Sequence, residues 1–266
     1  MVELLKPMTF AAKATKETLF AAAMAFCCLG IRSDGLPHYG SRMDGLPRVT
    51  LWAWERREFF PALDIKRYEI AYLDRTVTIG AGSGSGVESQ MRRAPVVFPA
   101  TATRIPVVRI ETAPEAVLND TARAAVAREL VDAAREPGSA ALQVDFDATR
   151  SQRNFYRALL TDVRAQMPAG MPLSMTALAS WCSWNSWLRG LPVDEAVPMM
   201  FRMEPDRRRR AADAPEFRIR EPLCMGSVGV STTEAWPDRI AGKRIYIFAD
   251  EGWQRTPLKK LEQRLP

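Results

Sequence analysis

Strand-like and helix-like segments alternate along this chain from Val49 onward, and that alternation predicts a parallel sheet covered by helices. Eight segments read as strands: Val49 to Trp54, Glu69 to Ile79, Arg104 to Thr112, Ser139 to Asp147, Pro172 to Ala179, Glu195 to Met203, Leu223 to Ser231 and Lys243 to Asp250. Helices are clearest at Asp120 to Arg135, Ser151 to Gln166 and Pro257 to Leu265, where apolar residues recur at three-to-four spacing. Asn119 or Asp120 caps the first of these, and Ser151 the second. Eight strands with intervening helices close as a single (β/α)8 TIM-like barrel, an α/β fold whose second and seventh units are degenerate. A doubly wound open sheet is the alternative. A length of 266 residues with 47% hydrophobic content suits one such domain.

The run Gly80 to Gly86, GAGSGSG, follows a strand as a phosphate loop would. A dinucleotide turn opens directly into a helix, whereas here Gln90 to Phe98 contains Pro95 and reads as a returning strand. The glycines are therefore assigned to the tip of a hairpin excursion after the second strand. No sequence feature calls for a nucleotide, redox or other cofactor.

Histidine usage narrows the chemistry. The chain holds one, His38, in a Gly/Pro-rich segment, so a Ser-His-Asp triad or a multi-histidine zinc site lacks its parts. Cys27 and Cys28 are adjacent in an apolar run and Cys182 and Cys224 stand alone, so no CxxC ligand pair exists and no metal site is expected. Cys182 and Cys224 read as buried free thiols. Of the formal net charge of +6, four charges come from the run Arg207 to Arg210. A basic run without interleaved aromatics fits a solvated loop, so no nucleic-acid partner is expected.

Residues 1–30 read as a signal or membrane-targeting segment: Lys6, Lys13 and Lys16 precede the uncharged run Leu19 to Gly30, with Ala23-Met24-Ala25 as small residues for cleavage. The run is too short to span a bilayer as a helix, so any membrane association is through the N-terminus alone. This predicts export to the periplasm or envelope, with a cytoplasmic protein as the alternative. Residues 31–48 repeat DGLP at Asp34 and Asp44 and read as a flexible linker, leaving 49–266 for the barrel.

The stretch Ala141 to Tyr156, ALQVDFDATRSQRNFY, carries the strongest site signal. Strand alternation puts Gln143, Asp145 and Asp147 on one face and Leu142, Val144 and Phe146 on the other. Acids closing an apolar strand mark the mouth of a pocket, because a buried charge is costly unless it is paired or used. Barrel chemistry sits at the C-terminal ends of the strands, and those ends share a character here. Trp52 and Trp54 close the first, Arg109 and Glu111 the third, Asp145 and Asp147 the fourth. Ser174 and Thr176 lead from the fifth into Trp181, Arg202 stands near the end of the sixth, and Asp250 and Trp253 end the eighth. Acids, guanidinium forks and indole faces on one rim describe a sugar site. The plainer alternatives are that Trp181, Trp184 and Trp187 pack in the core and that Arg109 with Glu111 is a structural ion pair.

The blocks LQVDFDATRSQRNFYRALL, MPLSMTALASWCSWNSWL and LPVDEAVPMMFRM together resemble a bacterial family catalogued only as a domain of unknown function, over about Val49 to Trp253. More loosely, the chain is similar to glycoside-hydrolase-like barrels of the chitinase type. The aspartates Asp145 and Asp147 resemble part of the DxDxE strand-four motif of family-eighteen chitinases, and Trp253 resembles the tryptophan under their sugar site. Where that motif places its catalytic glutamate this chain has Thr149, so the resemblance does not transfer the chitinase mechanism.

The expectation is thus a glycoside-hydrolase-like barrel acting on or binding a carbohydrate or sugar-like small molecule. Asp145, Asp147 and Glu111 are the candidate catalytic residues, and Arg109, Arg202, Trp52, Trp54, Trp181, Asp250 and Trp253 the candidate binding residues. A lectin-like envelope protein without catalysis and a scaffold that docks an acidic partner through Arg207 to Arg210 are the alternatives.

Overall fold

The computed structural model describes residues 41–60, 67–80, 86–183, 186–201, 218–238 and 240–266, and residues 40–266 form one unit. Eight parallel strands close into a barrel: β1 Val49–Ala53, β2 Tyr68–Ile79, β3 Arg104–Thr112, β4 Leu142–Asp145, β5 Leu173–Leu178, β6 Glu195–Met199, β7 Ser227–Ser231 and β8 Arg244–Phe248. Closure is direct, since β1 pairs in parallel with both β8 and β2, with Thr50 opposite Tyr246 on one side and Glu69 on the other. All eight expected strands are present. Several are shorter than their apolar patterns, and β4 starts at Leu142 because only a single bridge, Arg104 to Ser139, precedes it.

Helices α1 Asp120–Ala134 and α2 Arg153–Gln166 cover β3 and β4 from outside. In α2, Phe155, Tyr156, Leu159, Leu160 and Val163 recur at helical spacing and are all buried. They meet Leu142, Val144 and Phe146 in one core, so strand parity sends these three outward from the barrel as the sequence implied. The side chain of Asn119 accepts from Ala122 N at 2.8 Å, as expected of a helix cap. Ser151 does not cap α2. Arg150–Gln152 form a 3-10 turn ahead of the helix, and the Gln152 side chain instead accepts from Thr149 N at 2.8 Å. Short helices α3 Ala179–Ser183 and α4 Leu258–Glu262 follow β5 and β8.

The second unit has a hairpin where a helix would stand. Val87–Met91 return antiparallel along Arg75 to Ile79, and Gly80 N donates to Gly86 O at 2.6 Å. Gly80 has φ 89° and Gly86 φ 66°, backbone that glycine adopts without a Cβ penalty. A register shift between Leu73 and Arg75 reverses the parity of β2, so that Glu69 and Ala71 face inward while Arg75 reaches Glu129 of α1 outside. The seventh unit has no helix among its described residues.

The barrel is filled, as a TIM-type barrel must be. Trp52, Ala71, Ile105, Val107, Ala141, Val197 and Tyr246 make its apolar centre. Beneath them lies a buried polar floor. Trp52 Nε1 donates to Gln143 Oε1 at 2.8 Å, Gln143 Nε2 to Ser174 Oγ at 3.1 Å, Ser174 Oγ to Glu195 Oε1 at 2.9 Å, and Tyr246 OH to the same oxygen at 2.5 Å. Arg244 holds Glu69 Oε1 at 3.0 Å and faces Glu195 Oε2 at 3.7 Å.

Two findings depart from the sequence reading. Residues 41–48, assigned to the flexible linker, are docked under the barrel. Met43 is buried, Arg42 pairs with Asp194 at 2.9 Å, and the carbonyls of Met43 and Pro47 accept from Arg244. The carbonyls satisfy guanidinium donors that the two glutamates leave over. Second, Cys182 and Cys224 are joined in a disulfide with Cα atoms 5.8 Å apart, so they are not free thiols. Residues 42 apart in sequence gave no spacing signal; the fold brings α3 against the turn ahead of β7.

Candidate functional site

At the C-terminal end of the barrel an aromatic row crosses the mouth. Trp54 stacks on Trp52 with centroids 4.9 Å apart, Trp52 meets Phe248 at 4.7 Å, and Phe248 meets Phe201 at 4.6 Å. Period-2 alternation explains the first pair, since Trp52 is an inward position of β1 and Trp54, one residue past its end, keeps the same side. Trp54 is 37% exposed, so the row reaches solvent at this end. Phe201 had no role in the sequence reading, because an aromatic residue just beyond a strand is indistinguishable from a core residue until its neighbours are known.

Opposite that row, β3 and β4 present the charged groups. Arg109 Nη1 donates to Asp145 Oδ2 at 2.8 Å, and its Nε donates to Glu111 Oε1 at 2.9 Å. Thr176 Oγ1 of β5 donates to Asp145 Oδ1 at 2.7 Å. Both oxygens of the buried Asp145 are therefore engaged by charged or hydroxyl donors, which offsets the cost of burying it. The Arg109 guanidinium also lies 5.3 Å from the centre of the Trp54 ring, linking the charged side to the aromatic row.

Asp147 is the contrasting carboxyl. It is exposed at the rim, and among the described residues it has neither a hydrogen bond nor an ion pair. Partial desolvation raises its pKa above the ordinary carboxylate value; the charge of Asp145 raises it further and Arg109 opposes the shift. Two aspartates one alternation apart thus have divergent roles. Asp145 is fixed in place by Arg109 and Thr176, and Asp147 has no partner among the described residues.

The structure brings together Trp52, Trp54, Arg109, Glu111, Asp145 and Asp147. Asp250 lies at the same rim, two residues past Phe248, where Ser231 and Thr233 donate to its Oδ2, the latter at 2.7 Å. Two expected binding residues are elsewhere. Trp253 is buried behind β1 against Phe60, its indole N–H donating to Trp52 O at 3.0 Å. It packs the outer wall because Gly252, with φ 87°, turns the chain away after β8. Trp181 is buried in the layer outside β5, edge-on to Trp187 at 4.9 Å, which is the packing alternative. Arg202, Trp184, His38, Cys27, Cys28 and the run Arg207 to Arg210 lie outside the described residues.

Among the described residues no cluster of three or more His, Cys, Asp or Glu has the geometry of a metal site. No described helix is long and apolar enough to cross a membrane. Compared with known proteins, the chain matches no family model, no curated protein and no solved structure.

Proposed function

We propose that the barrel mouth binds a carbohydrate and cleaves a glycosidic bond, with Asp147 as the proton donor. The supporting observation is the aromatic row from the partly exposed Trp54 to Phe201 at the same end of the barrel as Asp147, whose carboxyl has no partner among the described residues and a pKa shifted upward by desolvation. Indole and phenyl faces suit the apolar faces of sugar rings, and a carboxyl whose pKa is shifted upward by desolvation and by Asp145 is the better placed of the two aspartates to protonate the leaving glycosidic oxygen. Glu111, held by Arg109, supplies the second carboxylate that takes a proton from the attacking water. Asp145 holds charge near Asp147 without giving up its own partners.

The deciding experiment is reducing-end release from a polysaccharide panel by the full chain and by Asp147→Asn. Release by the former and not the latter supports the assignment; equal release by both removes Asp147 from the site.

A lectin-like barrel without catalysis is the second reading, and Thr149 favours it. Thr149 occupies the place of the chitinase-type glutamate, is exposed, and is occupied with the start of α2, where its N–H donates to Gln152. Binding on a glycan array without product release would select this reading.

We also propose that the protein works outside the reducing cytosol. The Cys182–Cys224 disulfide supports this, because such bonds persist in oxidising compartments, and the lysine-then-apolar stretch in residues 1–30 points the same way.

A further inference from the structure

Beside the mouth, three buried donor atoms lack hydrogen-bond partners among the described residues: Arg153 Nε, Tyr156 OH and Trp187 Nε1. Buried donors are nearly always satisfied, so three belonging to one side-chain cluster call for an explanation. The cluster is continuous. The Arg153 guanidinium lies 5.3 Å from the centre of the Trp187 ring, and the Tyr156 ring lies 6.0 Å from the same indole. Arg157 fixes the turn that carries Trp187 by donating to Trp187 O and, at 3.1 Å, to Arg189 O.

Every unsatisfied atom here carries a hydrogen, so the missing partner is an acceptor. Its charge follows from the surroundings. Arg153 has no salt bridge among the described residues, and burial together with neighbouring Arg150 lowers its pKa with no acid to offset them. Burial, Asp145 and Asp147 hold the Tyr156 hydroxyl in its protonated form, so it stays a donor. The Arg153 guanidinium over the Trp187 ring, with the indole N–H and the Tyr156 O–H in the same side-chain cluster, offers donors suited to the oxygens of a carboxylate or sulfate. The connection from β4 to α2 carries Asp147 at one end and Arg153 at the other, which puts the cluster next to the rim where the sugar would lie.

We propose that Arg153, Tyr156 and Trp187 form an oxyanion subsite that receives the carboxylate or sulfate group of an acidic saccharide held at the barrel mouth. The saccharide part of this inference rests on the function proposed above; the oxyanion part stands on the cluster alone.

Calorimetric titration of the full chain at fixed ionic strength tests it with three probes: an oligogalacturonate, its methyl ester and inorganic sulfate. The acid should bind roughly tenfold or more tightly than the neutral ester, and Arg153→Gln should erase that preference. Trp187→Phe, which retains the ring and removes the N–H, should reduce it severalfold. Sulfate binding that depends on Arg153, with neither saccharide bound, would uphold the anion subsite while overturning the carbohydrate reading. Equal affinity for acid and ester, or a preference unchanged in Arg153→Gln, would overturn the subsite. So would failure of all three probes to bind in a folded chain.

Discussion

The guanidinium of Arg109 rests over the indole of Trp54, 5.3 Å from the ring centre, while the same side chain holds Asp145 at 2.8 Å. One residue thereby sets the position of both sides of the mouth. Its stacking fixes where an aromatic platform meets the charged wall, and its fork fixes which of the two aspartates is occupied.

Arg109→Met should lower stability by roughly 1 to 3 kcal/mol, because the mainly buried Asp145 loses a charged partner. The same change removes the positive charge that opposes the rise at Asp147, so the Asp147 pKa should move further up. Urea denaturation and carboxyl carbon NMR titration read the two effects. An unmoved Asp147 titration would show that Arg109 does not act on it.

Asp147→Asn should leave thermal stability within about 0.5 kcal/mol of the parent, as expected of an exposed side chain without partners. Turnover by the parent should decline as pH rises through the Asp147 pKa, since the protonated form is the donor. A rate that climbs across that range would assign the residue to the base instead.

The floor of the barrel should make stability pH-dependent through Glu69, whose pKa burial raises from 4.5 to about 7 against the opposing pull of Arg244. The native state then binds a proton that the unfolded chain has released, so this stabilisation is complete below about 4.5 and is lost as pH rises to about 7. The difference is on the order of 3 kcal/mol. Glu69→Gln should flatten that slope in denaturation curves recorded from pH 4.5 to 8; an unchanged slope would locate the titrating group elsewhere.

Replacing both Cys182 and Cys224 with serine should cost about 4 kcal/mol at most, the chain-entropy value for a loop of this separation. Thermal melts with and without reductant check it. The parent should lose stability on reduction and the double variant should not respond.

The eight strands, α1, α2 and the hairpin were legible in the sequence because each depends on local periodicity: alternation for strands, three-to-four spacing for helices, glycine at a reversal. So was the outward direction of Leu142, Val144 and Phe146 against the inward direction of Gln143 and Asp145, since parity within one strand needs no knowledge of its neighbours. Asp145 and Asp147 were found as a pair for the same reason.

What separates those two aspartates was not legible. Thr176 and Arg109 reach Asp145 from β5 and β3, and only the lateral register of neighbouring strands decides that they do. Trp253 shows the converse, a residue in the right place along the chain that one turn of backbone sends to the outer wall. The disulfide, the Arg244 floor with its docked residues 41–48, and the buried donors around Trp187 are likewise contacts between distant segments. Sequence by itself determined the elements and, within an unbroken strand such as β4, the face each residue occupies, because those follow from backbone repeat. Tertiary structure alone decided which groups are neutralised and which stay available, because that depends on distances of a few ångströms between strands the chain reaches far apart.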